Sequence, residues 1–190
     1  MTTTRRPGSE TRAEILRVAL ELFTERGFEG ASIRDIAEAL GMTKSSLYYH
    51  FDGKEAIIQA LLDSRRAEFD DLMSWIDTQE PGPELLRGAA LRWVESTTPQ
   101  RIMAMRFAHA NGPMMARLAA QGGNIRSWFD DVINRILPPG APVSERLLAR
   151  MAFDSVSAAL FAAQAQPAGD EEVLAAARAA TIALTAPGPA

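Results

Sequence analysis

Ser32-Ile33-Arg34-Asp35-Ile36-Ala37-Glu38-Ala39-Leu40-Gly41-Met42-Thr43-Lys44-Ser45-Ser46-Leu47-Tyr48-Tyr49-His50-Phe51 reads as two short helices joined at a glycine. Ser32 with Asp35 three residues on has the form of a capping box, and Ile33, Ile36, Ala37 and Leu40 fall on one face before Gly41 stops the turn. Thr43 can cap the second helix, with Met42 placed to meet Leu47 as a hydrophobic staple. Leu47 and Phe51, four apart, face inward; Ser45, Ser46 and Tyr49 project from the other side, flanked by Tyr48 and His50. Two short helices across a tight turn, the second displaying hydroxyls and rings, have the form of a helix-turn-helix whose second member enters the major groove. Thr43, Ser45 and Ser46 can bond phosphates or base edges, and Tyr48, Tyr49 and His50 offer rings to the sugar-phosphate. Lys44 and Lys54 add charge beside helix N-termini that already favour phosphate, and Ser32 and Arg34 complete the expected DNA-binding set.

Outward from this segment, helical periodicity runs almost throughout, which predicts an all-α fold of about nine helices. A first helix starts near Thr11, with Glu14 as its capping partner, and buries Ile15, Leu16, Ala19, Leu22 and Phe23 before Gly27. Asp52, paired with Glu55, is placed to cap a fourth helix that runs to about Asp77 and ends at Pro81-Gly82-Pro83, a rod of roughly 35 Å. Further helices are expected over 84–97, 100–111, 114–137 with a kink or break at Gly122-Gly123, 144–166 and 170–186. The division expected is a three-helix DNA-binding domain over 1–53 and a helical effector-binding and dimerisation domain over 54–190.

Composition removes several classes of function. The 190 residues include no cysteine, and His50 and His109 are the only histidines, so thiolate nucleophiles and Cys- or His-built metal sites are out. No motif joins a nucleophile to a base, so an enzyme or carrier is the weaker reading, and no metal or cofactor is expected. Residues 1–54 carry eight basic against eight acidic side chains, which puts the net charge of −4 in the remainder; both lysines lie in this first part. Arg5 and Arg6 lead into Pro7-Gly8-Ser9-Glu10 rather than an apolar run, and no segment approaches the roughly 20 apolar residues of a membrane span, so the expected location is the cytoplasm.

The quoted segment, with Lys54-Glu55 after it and Ala19-Leu20-Glu21-Leu22-Phe23 and Gly27-Phe28 before it, closely resembles the DNA-binding region of the TetR family of transcriptional regulators over about residues 9–62. By that resemblance Thr43, Tyr48, His50 and Lys54 occupy phosphate-contacting positions, Lys44, Ser45, Ser46 and Tyr49 lie where bases are read or approached, and Leu47 and Phe51 are core. The resemblance further implies a homodimeric repressor of double-stranded operator DNA, released by a small-molecule effector. It also implies that the last two long helices pair with their mates, here through Met151, Ser155, Ala159, Leu160, Ala163, Val173, Ala177, Thr181 and Leu184. Those small-residue faces could instead complete a monomeric core; palindromic operators favour the dimer.

Trp93, Met103, Phe107, His109, Met114, Met115, Trp128 and Phe129 could line a pocket for a largely apolar effector, or simply pack. His109 is either a satisfied structural histidine or a ligand-orienting one. A regulator that answers to no small molecule stays open.

Overall fold

The computed structural model describes residues 8–82, 84–122, 125–165 and 168–186, without side chains over 118–126. The described residues form helices and connecting turns, with no strand. The elements are α1 (Gly8–Arg26), α2 (Ile33–Ala39), α3 (Lys44–His50), α4 (Lys54–Asp77), α5 (Leu85–Glu95), α6 (Pro99–Ala110), α7 (Gly112–Gly122), α8 (Ile125–Ile136), α9 (Val143–Phe153), α10 (Ser155–Ala162) and α11 (Asp170–Leu184), with one 3-10 turn at Ala163–Ala165. The all-α expectation holds, but there are eleven α-helices among the described residues, not about nine.

One extra helix comes from the stretch in which a kink or break is expected at Gly122-Gly123, the other from a stretch read as continuous. The 114–137 stretch is α7 and α8, with Gly123 and Asn124 outside the described residues. The 144–166 stretch divides at the single residue Asp154 (φ −86°, ψ 0°), although i to i−4 bonds continue on either side, from Asp154 N to Arg150 O and from Ala158 N to Asp154 O.

Two expected helix starts also differ. Helix α1 begins at Gly8, so Thr11 sits in its first turn and is not its cap, while Glu14 pairs with Arg17. At α4 the cap position belongs to Gly53, at φ +154°, and not to Asp52. A backbone in that region disfavours any side chain, so the residue that makes the turn into α4 cannot also supply a capping oxygen.

Packing builds several adjoining cores. The first gathers Ile15, Leu20 and Phe23 of α1, Ile36 of α2, Leu47 of α3, and Ile57 and Ile58 of α4. Phe107 of α6 joins them, its ring 5.9 Å from that of Phe23. The second stacks aromatics: Phe129 lies against Phe153 at 5.5 Å and edge-on to Trp93 at 5.3 Å, geometries that add to simple area burial. A third joins Val94, Ile102, Val156, Leu160, Val173 and Ala177, and so clamps α10 and α11 to α5 and α6. Full burial of each such large side chain stabilises by about 1.5–3 kcal/mol.

Candidate functional sites

The α2–turn–α3 hairpin forms as its local chemistry dictates. Ser32 Oγ accepts from Asp35 N, and the Asp35 carboxylate accepts from Ser32 N at 2.8 Å, closing the capping box. The Ser32 hydroxyl also donates to the Asp35 carboxylate, and that bond, with the one from Ser32 N, holds the Asp35 pKa below the usual carboxylate range. At the far end Gly41 takes φ +63°, and Met42 N reaches back to Ala37 O at 2.9 Å while Gly41 N bonds Glu38 O. This is the Schellman closure, which needs a left-handed residue. Thr43 then caps α3, its hydroxyl accepting from Ser46 N at 3.1 Å.

With Leu47 and Phe51 in the core, most of α3 faces outward, and His50 at its end is half-buried. Tyr49 is 87% exposed, its ring edge-on to His50. Thr43, Lys44, Ser45, Ser46 and Tyr48 are exposed beside it, and the Lys44 ammonium lies 5.6 Å from the centre of the Tyr48 ring. Arg34, on α2, is exposed and ion-paired to Glu38 at 2.7 Å.

Lys54 is placed differently from its outward-facing companions. Its ammonium donates to the carbonyl of Phe28 at 2.6 Å, lies 4.5 Å from the centre of the Phe28 ring, and its side chain is only 19% exposed. It ties the start of α4 to the loop after α1. Arg12 was not picked out by sequence reasoning. It bonds the His50 carbonyl and covers Phe51, and no local spacing relates it to α3.

A cavity of about 200 Å³ lies between the first two cores. Leu20 of α1 and Ile58, Leu61, Leu62 and Arg65 of α4 line one side; Trp93, Arg101, Met105, Phe107, His109, Met115, Phe129, Phe153, Asp154, Val156 and Ser157 are among those that complete it. Of the residues expected at a pocket, Trp93, Phe107, His109, Met115 and Phe129 line it. Met103 and Met114 pack instead against the first core, and Trp128 lies in the second with its ring 5.8 Å from Phe69.

His109 Nε2 and Ser157 Oγ are 2.9 Å apart, giving this histidine a partner. The two arginines of the wall carried no sequence signal, because nothing in the local pattern distinguishes them from solvated ones. Burial lowers the pKa of Arg65, partly offset by Glu68. Burial, and then the charge of Arg65, lower that of Arg101 to about 9, so both remain protonated at neutral pH.

The residues expected between subunits fall into two groups. Ser155, Leu160, Val173, Ala177 and Thr181 are buried within the chain, where α10 and α11 pack on one another; Ser155 Oγ and Thr181 Oγ1 are 2.9 Å apart. Those five are occupied inside the chain and have no surface to offer a second copy. Ala159, Ala163 and Leu184 are half-buried, and Met151 is exposed. The exposed apolar side chains here are Val143, Leu147, Leu148 and Met151 of α9, Phe161 of α10 at 68% exposure, and Ile182 of α11.

The model of bacterial regulatory proteins of the tetR family matches residues 15–61, which span α1 to the first turns of α4. The repressor KstR2 of Rhodococcus jostii is 45% identical over 64 residues, 34% of this chain and 30% of that protein. The regulator TtgR of Pseudomonas putida is 41% identical over 69 residues, 36% and 33% of the two chains. The aligned part thus spans about a third of the length of these relatives. KstR2 of Mycobacterium tuberculosis is 29% identical over 138 residues, 68% of each chain. Its solved structure superposes on 95% of this chain and 95% of its own, with a TM-score of 0.57 at 22% identity, which is a likeness of fold. Residues 15–61, the hairpin that presents α3 with the helices that hold it, thus match the tetR family of bacterial regulatory proteins, and the helical body behind them shares the fold of the solved KstR2 structure.

Proposed function

We propose that this chain is a DNA-binding transcriptional regulator that acts as a homodimer, represses from a two-fold symmetric operator and is released by a small, largely apolar effector held in the cavity. The observation that carries the DNA-binding part is the outward face of α3, where Thr43, Lys44, Ser45, Ser46, Tyr48 and Tyr49 stand clear of a core that fixes the helix through Leu47 and Phe51. In this reading Lys44, Ser45, Ser46 and Tyr49 approach base edges, while Thr43, Tyr48 and His50 meet the backbone.

A seven-residue recognition helix offers few contacts, and two copies related by a two-fold axis double them. Leu147 and Met151 of α9, Phe161 of α10 and Ile182 of α11 are exposed apolar side chains on the last three helices and support a contact with that second copy. The cavity supports the effector part. Leu20 and Ile58 belong both to its wall and to the core beneath α3, so an occupant would press directly on the DNA-binding unit.

Selection of bound duplexes from a random pool tests DNA recognition and the dimer together. A recovered palindrome with half-sites one helical turn or a multiple apart is the expected result. A single asymmetric site would remove the dimer from the reading, and no enrichment at all would overturn DNA recognition.

A further inference from the structure

Arg65 of α4 and Arg101 of α6 both reach the cavity, and both guanidiniums lie over the indole of Trp93, 4.5 and 3.9 Å from its centre. One carboxylate serves the two: Glu68 Oε2 stands 3.0 Å from Arg65 Nη1 and 3.5 Å from Arg101 Nη1. Glu68 is itself 41% exposed, whereas the Arg101 side chain is 3% exposed. Arg101 Nη1 also donates to Ser96 Oγ at 3.0 Å, but its buried Nε has no hydrogen-bond partner among the described residues. A guanidinium is rarely kept inside a protein with a donor unused, because the desolvation of that donor is then uncompensated.

The other polar groups on the wall are already matched. His109 meets Ser157, and Asp154 is paired with Arg150 at 2.8 Å. The unbalanced positive charge is therefore local to the arginine corner, and the remaining wall is dominated by apolar side chains such as Leu62, Met105, Phe129 and Val156.

We propose that the effector is an organic monocarboxylate, its acid group held by Arg101 and Arg65 and its single ring or short chain lying along the apolar wall. The inference rests on the reading of the cavity as an effector site. A planar fork of donors matches a carboxylate. One unmatched positive charge fits a monoanion and not a dianionic phosphate ester. The volume of about 200 Å³ is somewhat larger than the roughly 150 Å³ that accepts benzene, which sets the size of the body. Glu68, one turn beyond Arg65, is the internal counter-ion with which the incoming acid competes.

The test compares acids with their uncharged isosteres on the full chain: phenylacetate against phenylacetamide, benzoate against benzamide, and hexanoate against hexanamide, followed by calorimetry. At least one acid is expected to bind roughly tenfold to a hundredfold more tightly than its amide, the range of a charge-assisted hydrogen bond. Arg101→Met should abolish that preference. Glu68→Gln should tighten the acid severalfold and leave the amide unchanged, a gain that misfolding cannot imitate. Amides binding as well as acids, no acid binding at millimolar concentration, or a Glu68→Gln variant that does not favour the acid would each overturn the proposal. Operator binding, measured alongside, separates the two readings. Acids that bind through Arg101 without changing operator affinity would uphold the carboxylate site and remove effector release. Release by a neutral compound instead of an acid would do the reverse.

Discussion

Arg12 Nη1 on α1 donates to the backbone carbonyl of His50, the last residue of α3, at 3.0 Å, and its guanidinium lies 4.1 Å from the centre of the Phe51 ring. One exposed side chain thus satisfies a carbonyl that the helix end leaves without an intrahelical donor and covers the aromatic that anchors α3. Its positive charge also suits a helix C-terminus.

Arg12→Ala should therefore loosen the end of α3 while leaving the rest of the fold intact. The expected cost is about 1 kcal/mol, from an exposed cation–π contact and one hydrogen bond. Hydrogen exchange should rise at Leu47 to Phe51 more than elsewhere, and operator affinity should fall. Unchanged exchange in α3 would show that Leu47 and Phe51 hold it without help.

Lys54 distinguishes a phosphate contact from a structural tie. Because its ammonium is bonded to Phe28 O and covers that ring, Lys54→Met should lower stability by about 1–2 kcal/mol. In a chain of this length each kcal/mol corresponds to about 2–4 °C in Tm. If the lysine instead meets phosphate, its loss should flatten the salt dependence of DNA binding by about one unit of slope with no change in Tm.

The Ser32–Asp35 capping box gives a pH signature. Asp35 has its pKa depressed in the folded state by hydrogen bonds from Ser32, so its contribution is fully present above the unfolded carboxylate pKa of about 4 and is lost as pH falls through the lower folded value. Ser32→Ala should thus melt below the wild type at neutral pH, and the gap between them should narrow in acid. A gap independent of pH would mean that the serine acts without its carboxylate partner.

The exposed and buried faces of the last helices should respond in opposite ways to charge. Met151→Glu combined with Phe161→Glu places charge on an exposed surface, so the variant should stay folded and sediment as a monomer if that surface joins two copies. Ala177→Glu places an unpaired charge among Val94, Val156 and Val173, at a cost of roughly 3–5 kcal/mol, and should unfold the helical body before assembly can be judged. An intact dimer of the double variant would put the interface elsewhere.

Phe107 joins the cavity wall to the first core through its contact with Phe23. Phe107→Ala should cost about 3–5 kcal/mol. The milder Phe107→Leu should keep operator binding and weaken its response to an occupant. An undiminished response would assign the coupling to Leu20 and Ile58 alone.

The features legible along the chain are those whose interactions are local. The Ser32–Asp35 box, the left-handed Gly41, the Thr43 cap and the inward Leu47 and Phe51 all depend on neighbours three to five residues away, and each stands where its spacing predicted. Tertiary structure decided the rest. Helices α10 and α11 are rich in alanine and have apolar residues on more than one face, so no polar stripe marked which side was outward; packing against α5 and α6 chose it, turning Ala177 and Thr181 inward and Phe161 outward. The start of α4 went to Gly53, whose φ of +154° is one that a residue with a side chain rarely adopts. Arg12, Arg65 and Arg101 look like ordinary surface arginines in sequence. Arg12 and Arg101 find partners on other helices, 38 residues away in the chain for Arg12 and 33 for the Arg101–Glu68 pair, and Arg65, paired with Glu68 one turn on, reaches across to Trp93 of α5; across such separations no local pattern carries information.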